Sequence, residues 1–120
     1  MYVMTQAIFY HNPRCSKSRQ ALALLHEHNI EPTIKLYLKE GLTHDEVVAL
    51  AKKCNQTIHD ICRKKENVLQ TIPTSKLSDE QWVKLMVQHP ILLERPIFVY
   101  ENEAVIGRPP ERVLNLIKKT

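Results

Sequence analysis

The 120-residue chain has only two glycines, Gly41 and Gly107. Average usage, near 7%, would give about eight in this length. A dinucleotide fingerprint or a phosphate-cradling loop needs several glycines close together, because the backbone itself must approach the phosphate. Two isolated glycines exclude both, so an oxyanion site here must be built by other means. Long apolar runs are missing too: none approaches the ~20 residues that span a bilayer. The start, Met1 to Thr5, lacks the charged-then-apolar pattern of a signal peptide. These absences predict a cytoplasmic protein with no membrane partner. Cysteine is scarce and odd in number: Cys15, Cys54 and Cys62. Without a secretory context they do not read as a disulfide framework. No two are spaced C-x-x-C, so no metal site is expected.

What is present describes an ordinary globular chain. Hydrophobic residues make up 43% and charged residues 25%, and the length suits one domain spanning residues 1–120, with a core that needs no staple. Seventeen Lys and Arg against thirteen Asp and Glu leave a net charge of +4. That is either a mildly basic surface or a preference for an anionic ligand. The cations are spread out, with one short cluster at Arg63-Lys64-Lys65, and nothing resembles a nucleic-acid arm or a zinc finger.

Ala7 to Tyr10 is a short apolar and aromatic run ending in a turn signal at His11-Asn12-Pro13, as a first strand would. A helical stripe follows from Ser16 through Ala21, Leu22, Leu24 and Leu25, closed by Asn29 and Pro32. Thr33 to Tyr37 alternates around Ile34 and Leu36 and predicts a second strand. Thr43 with Glu46 and Ser78 with Gln81 form capping boxes that open two helices, one through about Lys53 and one ending before Pro90. Ile58 to Lys64 reads as a further helical segment. Ile97 to Tyr100 and Ala104 to Ile106 read as a hairpin across a turn at Glu101-Asn102-Glu103. Pro109-Pro110 then opens a last helix with Val113, Leu114 and Ile117 on its apolar face. The order is βαβ, then helices, then ββα. It predicts an α/β, thioredoxin-like fold with a helical insertion, about residues 43–90, between its halves.

Cys15 falls between the first strand and the first helix. Unpaired amides and the positive end of the helix dipole favour a thiolate there. Arg14, Lys17 and Arg19 add cationic charge, and a thiolate so placed is a nucleophile. Spacing sorts the chemistry. A phosphatase loop needs an arginine six positions after the cysteine, where Ala21 stands. A dithiol motif needs a cysteine where Ser18 stands. Cys15 is therefore a monothiol that passes its intermediate to an outside thiol, or to a distant Cys54 or Cys62.

His11-Asn12-Pro13-Arg14-Cys15-Ser16-Lys17-Ser18-Arg19 resembles the H-N-P-x-C-x-x-S-R signature of the glutaredoxin-coupled arsenate reductases. The resemblance continues through Glu31-Pro32-Thr33-Ile34 and Arg63-Lys64. It returns in Gln88-His89-Pro90-Ile91-Leu92, in Arg95-Pro96-Ile97 and in Arg108-Pro109, and so covers roughly Ile8 to Ile117. It implies a thioredoxin-like fold and a cysteine, Cys15, that attacks arsenate. It implies that Arg63, Arg95 and Arg108 hold the oxyanion and that His11 supports the cysteine. Glutathione would be the co-substrate that attacks the cysteine–arsenic adduct, glutaredoxin would supply electrons, and no cofactor would be bound. Pro96 would be cis, by likeness to the proline that faces the cysteine in such folds. Arginine suits the task, because its planar fork stays charged and matches oxyanion geometry.

On the residues alone some readings stay open. His11 either caps a turn or belongs to the site through its charge near neutral pH. Arg63, inside a basic run, reads without the resemblance as a surface charge. Cys54 and Cys62 read as helical, core-packing residues, with Cys62 beside Arg63 the one to trap with a thiol reagent. Arg14, Ser16 and Lys17 replace smaller or neutral residues of the best-known members, and the chain lacks the longer tail that some carry. Two alternatives remain: a related thiol reductase with another substrate, and a redox-responsive regulator of this fold that binds RNA polymerase. Ser18 argues against a dithiol sensor.

Overall fold

A computed structural model describes residues 6–117; the Met1–Thr5 reading lies outside them. Strand β1, Ala7–Tyr10, pairs in parallel with β2, Thr33–Lys35, across helix α1, Ser16–Glu27. Strand β3, Ile97–Tyr100, lies antiparallel on the other side of β1, and β4, Glu103–Ile106, closes the sheet as the hairpin partner of β3. The sheet order β2-β1-β3-β4 is the expected thioredoxin-like arrangement. Between β2 and β3 run α2, Tyr37–Glu40, α3, His44–Lys53, and α4, Asp79–Gln88, with 3₁₀ turns at His59–Ile61, Asn67–Thr71 and Pro90–Leu92. The described residues end in a 3₁₀ turn, Pro110–Val113, running into α5, Leu114–Ile117. Among the described residues no helix is long and apolar enough to cross a membrane.

The strands alternate, and each side of the sheet builds its own core. Phe9 and Phe98, paired in register, point to one face and pack with Ala21 and Leu25 of α1 and with Val113, Leu114 and Leu116. Tyr10, Ile97, Val99 and Ala104 point to the other face, toward Val47 and Leu50 of α3 and Trp82, Val83 and Met86 of α4. Both expected capping boxes are formed in both directions, Thr43 with Glu46 and Ser78 with Gln81. Each satisfies two orphan helix amides and fixes where its helix starts.

Two segments differ from the sequence expectation. The second strand stops at Lys35 rather than Tyr37. The carboxylate of Glu40 accepts from the Leu36 amide at 2.9 Å and winds Tyr37–Glu40 into a single turn. That turn drops the Tyr37 ring into the core, fully buried. Ile34 is half-exposed, so the alternation around it did not mark a buried face. Ile58 to Lys64 is not a helix beyond the 3₁₀ turn His59–Ile61, and Cys62 is extended and bridged to Leu93. The Arg63 amide donates to Leu92 O at 2.6 Å, and the Glu94 amide donates to Ile61 O at 2.8 Å. Backbone pairing with a segment about thirty residues away therefore overrides local helical pattern here.

The peptides before Pro96 and Pro109 are both cis. The Gly107 amide donates to Pro96 O at 2.8 Å, and the Arg108 guanidinium to Arg95 O at 3.2 Å, so the two proline loops are tied together. Gly107 is needed for this approach: a Cβ there would stand 2.9 Å from Pro96 Cγ and 3.0 Å from Val113 Cγ1. Gly107→Ala is expected to destabilise the protein by roughly 1–3 kcal/mol, the usual cost of overpacking a tight contact. Urea unfolding monitored by Trp82 fluorescence checks this, and an unchanged midpoint would contradict it.

Candidate active site

Cys15 is the N-cap of α1, with extended backbone. The turn before it is locally determined. Asn12 O accepts from the Cys15 amide at 3.0 Å, and Asn12 Oδ1 accepts from the Arg14 amide at 3.0 Å. An N-cap side chain faces the second and third helical amides, which here belong to Lys17 and Ser18. No conventional capping bond closes this turn, which leaves those amides to a charged sulfur. Partial burial pushes the thiol up. The Ser18 amide, the Arg95 guanidinium and the Lys17 amide outweigh it and hold Cys15 below the ordinary thiol range.

The cation that acts on the sulfur therefore comes from the far end of the chain. Arg14 and Lys17 are exposed, and Arg19 donates to Pro13 O at 2.8 Å. Arg95 stands at the entrance to β3, with its side chain 15% exposed. Among the described residues, the buried side-chain polar atoms without a hydrogen-bond partner are Arg95 Nε, Arg95 Nη1 and the Tyr37 hydroxyl. Buried donors in natural proteins are nearly always matched. Here three unmatched ones gather at the one cysteine whose thiol is held low.

Arg63 and Arg108 complete the basic side of the site. With Cys62, Lys64, Lys65 and Glu94 they line a cleft of about 340 Å³. The Cys62–Leu93 bridge is what brings Arg63 beside Arg95. Glu66 stands between the two, 2.8 Å from Arg63 Nε and 3.9 Å from Arg95 Nη1. Lys64 is turned to the carbonyls of His59 and Cys62. The structure thus brings Cys15 and Arg95 together, with Arg63 next to Arg95 through Glu66 and Arg108 bonded to the Arg95 carbonyl; the cleft that Arg63 and Arg108 line includes neither Cys15 nor Arg95.

His11 is buried, and its Nδ1 lies 2.8 Å from the Ser18 hydroxyl. That hydroxyl oxygen accepts from the Asn12 amide at 3.1 Å, so its proton is free to go to Nδ1. Burial, with Arg19 nearby, lowers the His11 pKa. The imidazole is thus neutral at physiological pH, and its bond goes to Ser18, which occupies the place of a second cysteine. Tyr37 and Glu66 were missed in the sequence. The only signal for Tyr37 is an aromatic residue at a strand's end, and for Glu66 an acid closing a basic run. Burial pushes Cys54 and Cys62 up to about 11, as suits packed thiols. Cys54 caps the end of α3 and Cys62 sits in the bridge, so neither is inside a helix.

Comparison with known proteins agrees with this geometry. The sequence model of the ArsC family matches residues 10–116. The chain belongs to the ArsC family. An arsenate reductase of Haemophilus influenzae is 39% identical over 113 residues, covering 92% of this chain and 97% of that one. The Escherichia coli K12 protein YfgD is 41% identical over 115 residues, covering 93% and 97%. A solved structure of an arsenate reductase from Vibrio cholerae superposes with a TM-score of 0.88 at 37% identity, covering 94% and 98%. The ArsC fold is thus shared along nearly the whole chain.

Reactivity tests the electrostatics directly. With iodoacetamide at neutral pH the native protein is expected to be alkylated at Cys15 alone, with Cys54 and Cys62 reacting only after unfolding. The Cys15 rate should rise with pH through a midpoint below the ~8.5 of a free cysteine, and Arg95→Ala should raise that midpoint. An unmoved midpoint in Arg95→Ala, followed by peptide mass spectrometry, would contradict the assigned contact.

Proposed function

We propose that this protein is a monothiol arsenate reductase whose nucleophile is Cys15. The observation that carries the reading is the pair of buried, unmatched donors on Arg95 beside a cysteine held toward its thiolate. Donors that lack a partner in the resting protein are matched when an oxyanion arrives. Membership of a family whose relatives include arsenate reductases supports arsenate as that oxyanion.

The chemistry then follows from the residues. Arsenate docks on Arg95, with Arg63 and Arg108 at its flanks. The Cys15 thiolate attacks arsenic, and one oxygen leaves as water after taking up protons. Arg95 and the α1 amides bind the charge that develops on the remaining oxygens. A thiol, glutathione by resemblance, then attacks the Cys15 sulfur. The sulfur–arsenic bond breaks with its electron pair on arsenic, arsenite departs, and Cys15 remains in a mixed disulfide. A second thiol, from glutathione or glutaredoxin, frees Cys15 by exchange. In sum, arsenate and two thiols give arsenite, one disulfide and water. Neutral His11 and Ser18 hold the α1 entry and so position the sulfur.

The three arginines are not equivalent. Arg95, whose Nε and Nη1 are buried, contributes most, because a charge is least screened where water is excluded. Arg63 is already engaged by Glu66, and Arg108 is exposed. Arsenate-dependent NADPH oxidation in the presence of glutathione, glutathione reductase and glutaredoxin tests the reading. Wild type should turn over and Cys15→Ser should fall to background. Arg95→Ala should lose about 100-fold in kcat/KM, the usual cost of a lost oxyanion donor. Arg108→Ala should lose less, about tenfold. Wild-type activity no higher than background would overturn the assignment.

A further inference from the structure

The position of the Tyr37 hydroxyl is not explained by packing. The ring is fully buried in the larger core, where a phenylalanine would fill the same space. The oxygen is buried as well and makes no hydrogen bond. Buried tyrosines usually find a partner for this group. The charged and reactive groups that face it are Arg95, Cys15 and Arg63. Guanidinium groups carry donors only, so Arg95 can turn a donor toward the Tyr37 oxygen but cannot accept its proton, which is left without an acceptor.

We propose that the Tyr37 hydroxyl is a substrate-binding donor: it gives its hydrogen bond to an oxygen of the oxyanion held at Cys15, and keeps it in the covalent adduct. The inference rests on the reading of Cys15 and Arg95 as an oxyanion site. Three donors of two kinds then converge on one anion, two from a charged fork and one from a neutral phenol. The phenol adds a directed bond without adding charge to a site already rich in cations. Burial, helped by the charge of Cys15, pushes its pKa up to about 12 against the pull of Arg95 and Arg63. It therefore keeps its proton at neutral pH. The one-turn helix α2, wound by Glu40, is what delivers the group.

Tyr37→Phe removes the oxygen and keeps the ring. Four measurements on the full chain, against wild type, read its role. Removing an unmatched buried hydroxyl should leave the melting temperature equal or higher. The arsenate or phosphate concentration that halves Cys15 alkylation by iodoacetamide should rise about tenfold. Arsenate turnover, as kcat/KM, should fall about tenfold or more. The pH midpoint of Cys15 alkylation without oxyanion should stay where it is. A lower melting temperature would show a structural partner for the hydroxyl and overturn the role. So would unchanged protection and turnover, or a shifted alkylation midpoint as the sole change, which would assign the bond to the thiolate. If wild type itself shows neither protection nor turnover, the oxyanion site and the Tyr37 role fall together.

Discussion

A guanidinium with two nitrogens buried and unmatched is costly to keep, and the site is organised around it. Arg95 could have been left in water, as Arg108 is. Instead it directly precedes Pro96 and a strand whose first two residues, Ile97 and Phe98, are fully buried. The sheet fixes that strand between β1 and β4, and so fixes the backbone from which the Arg95 side chain extends. Cys15 sits at the far end of the neighbouring strand's connection, where β1 hands over to α1. Antiparallel pairing of the two central strands sets Tyr10, at the end of β1, opposite Ile97, at the start of β3, and so brings the cysteine turn and the Arg95 turn to one end of the sheet.

Around that contact the protein balances its charges unevenly. Glu66 bonds Arg63 and lies just beyond hydrogen-bond distance of Arg95. It tempers the cationic cluster without satisfying its innermost member. Arg108 holds the Arg95 carbonyl rather than a carboxylate, which leaves its charge uncancelled by that contact and ties the two proline loops. Two glycines are enough for the proposed oxyanion site, in which side-chain forks and helix amides would do what a glycine loop does elsewhere. Gly107 serves it indirectly, by letting Pro96 and Val113 close against the chain that carries Arg108.

Much of this was legible in the sequence, and the failures share a cause. Thr43 and Ser78 announce their helices because a capping box is a contact between residues three apart. Cys15 declares itself for the same reason, since strand, turn and helix start are all local. Arg63, Arg95 and Arg108 were reached through resemblance, and their grouping depends on pairings invisible along the chain. Cys62 was read as helical because its partner, Leu93, lies 31 positions on. Tyr37 was read as strand because alternation around Ile34 and Leu36 continues up to it. The Glu40 carboxylate that breaks the alternation acts backward on Leu36. Arg14, Lys17 and Arg19 are close to the sulfur in sequence, whereas the guanidinium that lowers its pKa is that of Arg95. Local signals named the elements. The chemistry of the site was set by contacts between residues far apart in sequence.

The central claim is that Cys15 and the open donors of Arg95 form one oxyanion site. Crystals of the protein grown with arsenate, with diffraction data collected at the arsenic absorption edge, test it most directly. The expected result is an anomalous peak at bonding distance from Cys15 Sγ, with arsenic-bound oxygens within hydrogen-bond reach of Arg95 Nε and Nη1. Arsenic found only elsewhere on the protein, with Arg95 still unmatched beside a free Cys15, would contradict it.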